Sequence, residues 1–302
     1  MIRKAKVEWT VDEQWDGELL RTFLREGKHV SKRSLAAIKF KGGTILLNGE
    51  EVTVRETVHV NDQVTLELPH EYPSPSMIAE PVPFDVIYEN DHYLVVNKPA
   101  GVPTIPSRDH PQGTLANGLL NYFQRQKMAA TFHAVNRLDK DTSGLLIVAK
   151  HQLAHDQLSK QQRQGNIKRT YMAIVQGEIE QQEGTITAPI ARKEESLITR
   201  EVREDGQLAI THFKVIDRLN QGTIVQVQLE TGRTHQIRVH FSYLGYPLFG
   251  DDLYGGERKG IERQALHSTE LTIHCPFTEV EQTFTEGLPP DMKELIRHLK
   301  KA

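Results

Sequence analysis

The segment Asn136-Arg137-Leu138-Asp139-Lys140-Asp141-Thr142-Ser143-Gly144 puts one arginine and two carboxylates in a turn-rich stretch. Directly after it, Leu145 to Ala149 is an unbroken apolar run, β-branched in part, which predicts a strand buried on both faces. A rigid buried strand can hold a charged loop, and so a reactive carboxylate, in place. Asp139 is the first candidate for chemistry, with Arg137 two residues away. Acids in loops also serve simply to organise a turn, and Asp139 or Asp141 could do only that. Thr142 and Ser143 carry hydroxyls that can bond the backbone locally and brace the loop.

A second candidate lies in Thr231-Gly232-Arg233-Thr234-His235-Gln236-Ile237-Arg238-Val239-His240-Phe241. Thr223 to Glu230 alternates as a strand does, and Thr234 is placed to cap a following helix. Ile237, Phe241 and Leu244 share one face of that helix, so His235 and Arg238 fall together on another. The helix dipole favours anions at this end, not cations. Arg238 therefore needs a partner carboxylate or an anionic ligand, unless it is an exposed ion pair of little energetic weight. The third candidate is Tyr171, which alternates with Ile167, Ala173 and Val175. It reads either as a β-favoured core aromatic or as a flat surface on which a nucleobase stacks.

Other chemistries find little support. The chain has no Gly-x-x-x-x-Gly-Lys-Ser/Thr phosphate loop and no Gly-x-Ser-x-Gly elbow. Its 14 histidines are scattered, and its one cysteine, Cys275, cannot build a thiolate cluster, so no metal site is expected. That single cysteine also excludes an intrachain disulfide and points to a reducing, cytoplasmic compartment. No apolar run approaches the ~20 residues of a membrane span, and the basic start is not followed by a leader-like apolar stretch. A formal net charge of −3 and a pI near 6.5 argue against a protein coated in positive charge. Residues 21–41 nevertheless hold seven bases (Arg21, Arg25, Lys28, Lys32, Arg33, Lys39, Lys41) against the one acid Glu26. Such a patch is what binds phosphates.

The elements that must position these residues fall in two modules. Prolines at 69, 73, 75, 81 and 83 remove amide donors and favour extended chain, so residues 71–83 read as a linker. Before it, residues 1–70 form a small α+β module: a helix starts near Asp16 and runs to Leu24, and a second is capped by Ser31 and runs through Ile38. Strands are expected at Thr44–Leu47 and Gln63–Leu68, with Asn48-Gly49 as a turn. Residues 84–302 are rich in strands, expected at Tyr93–Asn97, Leu145–Ala149, Ile167–Val175, Ile210–Ile216, Thr223–Glu230 and Leu271–His274. Helices are expected at Leu115–Gln126, Gln152–Gln164, Thr234–Leu244 and Asp291–Leu299. Gly165 and Gly245 suit the ends of two of them. The fold class is α+β with a mostly antiparallel sheet.

Together these segments resemble the RluA-type family of pseudouridine synthases (the RluA, RluC and RluD group), whose hallmark is Arg-Leu-Asp-x-x-Thr-Ser-Gly. Here that is Arg137 to Gly144. Asp91 to Val102 is similar to the family's first motif, and Lys168–Gly177 and Thr231–Tyr254 to its later ones, so the likeness spans about residues 80–286. Asn136 departs from it, since most members carry histidine there. Residues 14–70 are similar to the alpha-L RNA-binding domain, with Lys32-Arg33-Ser34 as a looser match to its usual Ser-Arg stretch.

The resemblance implies isomerisation of uridine in RNA with no cofactor and no metal. The uridine must leave its stack to be reached. Asp139 would be the essential carboxylate, attacking the substrate or removing a sugar proton, and Asp141 would shape the turn. Arg137 would fill the gap left by the base, Tyr171 would stack on it, and Ile237 would line the pocket. Either role needs Asp139 ionised, which a guanidinium such as Arg238 nearby favours. Lys168, Arg233, Arg21, Lys32, Arg33 and Lys39 are phosphate contacts on charge alone. By family habit the RNA is ribosomal large-subunit RNA first and transfer RNA second, bound by a monomer. Two rival readings are a non-catalytic RNA-binding or ribosome-assembly factor and an RNA glycosylase. The first should have lost the aspartate, tyrosine or late arginine, and all three are present. The second would release free uracil.

Overall fold

The computed structural model describes residues 4–128 and 130–301. Its first sheet has four antiparallel strands in the order Lys6–Thr10, Gln63–Glu67, Thr44–Leu47, Glu50–Glu51. Asn48 and Gly49 both take positive φ (52° and 86°) and close the last hairpin, as an Asn-Gly pair does in a turn matched to strand twist. Ser31 caps the helix Lys32–Phe40, accepting a hydrogen bond from the Ser34 amide. This sheet and its helices have their own core, which includes Trp9, Leu20, Phe23, Leu24, Ile38 and Leu66.

The helix expected from Asp16 to Leu24 is shorter and begins later, as an α-turn at Leu20–Thr22 running into a π-turn at Phe23–Gly27. Long-range pairing explains the difference. The amides of Gly17, Leu20 and Arg21 donate to Val58, Glu56 and Val54, so a second chain segment has taken the bonds a helix would need. The proline-rich stretch carries no helix or strand. It is nevertheless tied down: Glu71 accepts from Gln152 N and contacts His133, and Glu80 accepts from Gly113 N.

The second sheet has ten strands. Its main path runs Glu183–Thr187, Ile210–Leu219, Gly222–Leu229, Lys168–Gln176, Leu266–His274, Ser143–Ala149, Tyr93–Lys98, Asp85–Glu89. The fold is α+β and the sheet is mixed. Leu266–His274 runs parallel to Ser143–Ala149, and every other strand pairing in this sheet among the described residues is antiparallel. Ser143–Ala149 is buried along its whole length. Leu146 and Val148 face helix Leu115–Arg125, while Leu145 and Ile147 face Ala154 and Leu158 of helix Gln152–Arg163. Its continuous apolar run is thus explained by two covered faces.

At the mouth of the parallel pair the backbones nearly touch. Gly144 has φ +111°, and a Cβ there would lie 2.2 Å from the Ser268 carbonyl oxygen. Only glycine fits that conformation at that distance.

Candidate active site

A cleft of about 660 Å³ opens at the end of these central strands, lined by Arg137, Asp139, Tyr171, Arg233, His235, Ile237 and Arg238 among others. The loop before Ser143 is held from three sides by groups distant in sequence. Thr104 donates its hydroxyl to the Leu138 carbonyl (2.7 Å), Lys98 its ammonium to that of Lys140 (2.9 Å), and Arg263 its guanidinium to that of Asp141 (3.0 Å). The Thr142 amide closes the turn on the Asp139 carbonyl at 3.1 Å. The loop hydroxyls do not bond locally as expected. Thr142 accepts from Gln264, and Ser143 Oγ meets His267 Nδ1 at 2.8 Å. Gln264, just before the strand Leu266–His274, and His267 within it take these hydroxyls in place of the loop's own backbone. Asp141 contributes to the bracing through its main-chain carbonyl.

Lys98 is fully buried, and its ammonium also donates to the carbonyls of Pro99 and Val102. Burial pulls its pKa down to about 7, against the upward pull of Asp139 and Asp141. All three of its donors are used.

The helix carrying Arg238 runs from Gln236 to Tyr243. Thr234 is not its cap; His235 holds that place, in the left-handed region at φ 59°, with no side-chain cap bond. Gln236 organises the turn instead. Its Oε1 accepts from Thr231 Oγ1 and Arg233 N, and its Nε2 donates to the Ile210 carbonyl. The left-handed residue turns His235 into the cleft, beside Arg238.

Arg238 makes the central contact. Its Nε and Nη2 each donate to Asp251 at 2.7 Å, and its Nη1 donates to Asp139 Oδ2 at 3.2 Å. Burial opposes its charge, but the hydrogen bonds and charges of Asp251 and Asp139 outweigh that and raise its pKa. The guanidinium also lies over the Tyr254 ring, 4.9 Å from its centroid, a favourable place for a cation. His235 Nε2 is 3.8 Å from the same Asp139 oxygen, and burial lowers its pKa despite Asp139. Tyr254 Oη accepts from Arg200 N and sits 2.8 Å from His235 Nδ1. Donation by the hydroxyl to Nδ1 satisfies both groups and puts the ring proton on Nε2, facing the carboxylate.

The sequence profile of the RNA pseudouridylate synthase family matches residues 92–243. The Bacillus subtilis protein named uncharacterized RNA pseudouridine synthase YjbO is 51% identical over 268 residues, covering 89% of this chain and 95% of that one. This chain belongs to the RNA pseudouridylate synthase family. Among its RluD-type relatives, the ribosomal large subunit pseudouridine synthase D of Pseudomonas aeruginosa is 37% identical, covering 89% of this chain and 88% of the relative. Human RNA pseudouridylate synthase domain containing 1 matches in structure at TM-score 0.58 and 25% identity, covering 77% of this chain and 98% of that one.

The synthase is an isomerase, and its cleft gathers most of the residues expected from sequence. Asp139 is half-buried, Arg137 exposed, and Tyr171, Ile237 and Arg238 buried at its wall. Burial raises the Tyr171 pKa, which keeps the phenol neutral. Arg233 is exposed on the lining and donates to the Leu208 carbonyl. Lys168 lies outside this cleft, on an adjoining groove. Arg21, Lys32, Arg33 and Lys39 are exposed on the N-terminal sheet unit. Sequence reading gives no individual role to Asp251, Lys98, Thr104 or Tyr254, although Lys98 lies in the family-like stretch Asp91–Val102 and Asp251 and Tyr254 in Thr231–Tyr254. A further signal for Asp251 is the need of Arg238 for a carboxylate. Among the described residues, no cluster of His, Cys, Asp and Glu could hold a metal ion, and no helix is long and apolar enough to cross a membrane.

Proposed function

We propose that this synthase isomerises specific uridines in structured RNA, with ribosomal large-subunit RNA as its substrate, through Asp139 and a flipped base. The observation that carries the proposal is the orientation of Arg238. Two of its nitrogens are fixed by a fully buried carboxylate, and the third presents Asp139 to the cleft. Fixed charge of this kind costs no reorganisation when the reaction occurs. The P. aeruginosa relative's name supports the choice of ribosomal RNA.

The bond from ribose C1′ to N1 breaks, the base rotates, and C5 bonds to C1′. The proton leaving C5 is matched by one gained at N1, so nothing is oxidised or hydrolysed. Asp139 acts on the sugar side of this exchange, by attack or by removing a sugar proton. Tyr171 and Ile237 offer the flipped uracil a flat and an apolar wall. Arg137, exposed at the cleft, enters the gap the base leaves. Residues 1–70 serve as an RNA-binding module whose exposed bases contact phosphates, residues 71–83 connect it, and residues 84–302 do the chemistry.

The test is a pseudouridine map of total RNA from cells with and without the protein. Loss of one or more large-subunit sites on deletion, restored by wild type and not by Asp139→Asn, is the expected result. Loss confined to transfer RNA would reassign the substrate, and an unchanged map would overturn the proposal.

A further inference from the structure

Two arginines near the cleft are equally buried, each 7% exposed, yet their surroundings are opposite. Arg238 has two carboxylates. Arg169 makes no ion pair among the described residues, and its Nε finds no hydrogen-bond partner there. A guanidinium cannot shed its proton in a protein. Burying one without an anion is strongly unfavourable, so the missing anion should arrive with a ligand.

The surroundings say where that anion sits. Gly232 leaves the side of the guanidinium uncrowded: a Cβ there would lie 3.3 Å from Nη1 and 3.5 Å from Nη2 of Arg169. Arg169 and Leu229 line both the catalytic cleft and a second groove of about 520 Å³. The two depressions therefore meet at this side chain. The second groove also carries Arg163 and Lys168. Its acid, Glu230, is engaged by His212 at 2.6 Å. Arg169 stands two residues before Tyr171 on the strand Lys168–Gln176, on the same face and roughly 7 Å away along it.

We infer that Arg169 clamps the phosphodiester adjoining the isomerised uridine, and that the groove beyond it takes the RNA strand as it leaves the catalytic cleft. The inference rests on the reading of the substrate as RNA. A planar fork of donors matches a phosphate's oxygens in two-pronged fashion, and an exposed glycine leaves the approach free. Lys168, which sequence favoured for this role, lies further along the groove as a second, exposed contact.

The experiment uses full-length protein and a large-subunit ribosomal RNA hairpin that the wild type modifies. Binding is measured on an Asp139→Asn background, so that the RNA is not consumed. Hairpins with a neutral methylphosphonate on either side of the target uridine are compared with the normal RNA. Arg169→Gln should weaken binding of normal RNA by about tenfold or more. One of the two methylphosphonates should cost the Arg169 protein a similar factor and cost Arg169→Gln nothing further. Losses that simply multiply, or no loss with Arg169→Gln, would overturn the clamp. If Arg169→Gln fails to fold by circular dichroism, Gly232→Ala carries the test. Its methyl obstructs the guanidinium without removing charge, and it should weaken binding of normal RNA several-fold and leave the same methylphosphonate hairpin unaffected; equal effects on both would count against the clamp. Failure of the wild type to form pseudouridine in any such RNA would instead sink the proposed function.

Discussion

Asp251 grips Arg238 with two hydrogen bonds of 2.7 Å, and that grip is what aims the remaining nitrogen at Asp139. The side chain of Asp251 is fully buried, so any effect it has on the proposed reaction passes through Arg238. Replacing it by asparagine keeps the shape and removes the charge. Asp251→Asn should lower the single-turnover rate of pseudouridine formation by about 100-fold, the scale of a misplaced catalytic group. RNA affinity should change little. A rate within about threefold of wild type would show that Arg238 needs no second carboxylate.

Asp139→Asn should abolish pseudouridine formation and leave RNA binding largely intact, because the amide keeps the loop's volume while losing the charge that either proposed role requires. Mass-shift or chemical mapping of the product RNA gives the readout. Modification at the normal rate would remove Asp139 from the chemistry.

Gly144→Ala should be among the most damaging small substitutions in the chain. It combines a positive φ with a Cβ placed 2.2 Å from the Ser268 carbonyl. A cost of about 3 kcal/mol or more is expected, read as a lowered urea midpoint. A midpoint equal to wild type would mean the parallel pair can separate without penalty.

Acid sensitivity should trace in part to His267, which meets Ser143 at 2.8 Å. Burial, with Arg263 nearby, lowers its pKa from 6.5 to about 4. Between those values the unfolded chain binds a proton that the folded chain refuses. Stability contributed by this group is therefore full above pH 6.5 and lost as pH falls toward about 4. The slope is roughly 1.4 kcal/mol per pH unit for one such group. His92, also lowered to about 4 by burial, adds to it. Urea unfolding across this range should show a shallower pH dependence for His267→Gln than for wild type; parallel curves would refute the assignment.

The basic patch of residues 21–41 is best tested by charge removal rather than deletion. Leu153 of the large unit belongs to the N-terminal core, and Ser34 donates to Asp156, so cutting away residues 1–70 would bare an apolar face. Neutralising Arg21, Lys32, Arg33 and Lys39 together should flatten the log-affinity against log-salt slope by about 0.7–0.9 for each phosphate that these side chains neutralise in the wild type. An unchanged slope would take the patch out of RNA binding.

Local pattern makes much of this legible in the sequence. The strand Ser143–Ala149 shows itself because both its faces are covered, and Ser31 because a cap needs only its own helix. Asp139, Tyr171 and Arg238 stand out because each has a local reason to be odd. Asp251 does not, since its pairing with Arg238 depends on where the chain returns after the helix. Arg169 looks like any charge at the start of a strand until its burial is known. The helix expected from Asp16 fails for the same kind of reason, as residues 54–58 claim its amides.

The parallel pair has a consequence for how the enzyme is made. Ser143 is 124 residues from His267, and the Asp139 loop enters the sheet at that junction. After placing Ser143, the ribosome must still add 124 residues to reach His267, its partner across the parallel pair. At about 5–20 residues per second this takes several seconds or more. Nascent chains thus carry the Asp139 loop in an unassembled state until the partner strand has been made, and the proposed competence to modify RNA can follow only then.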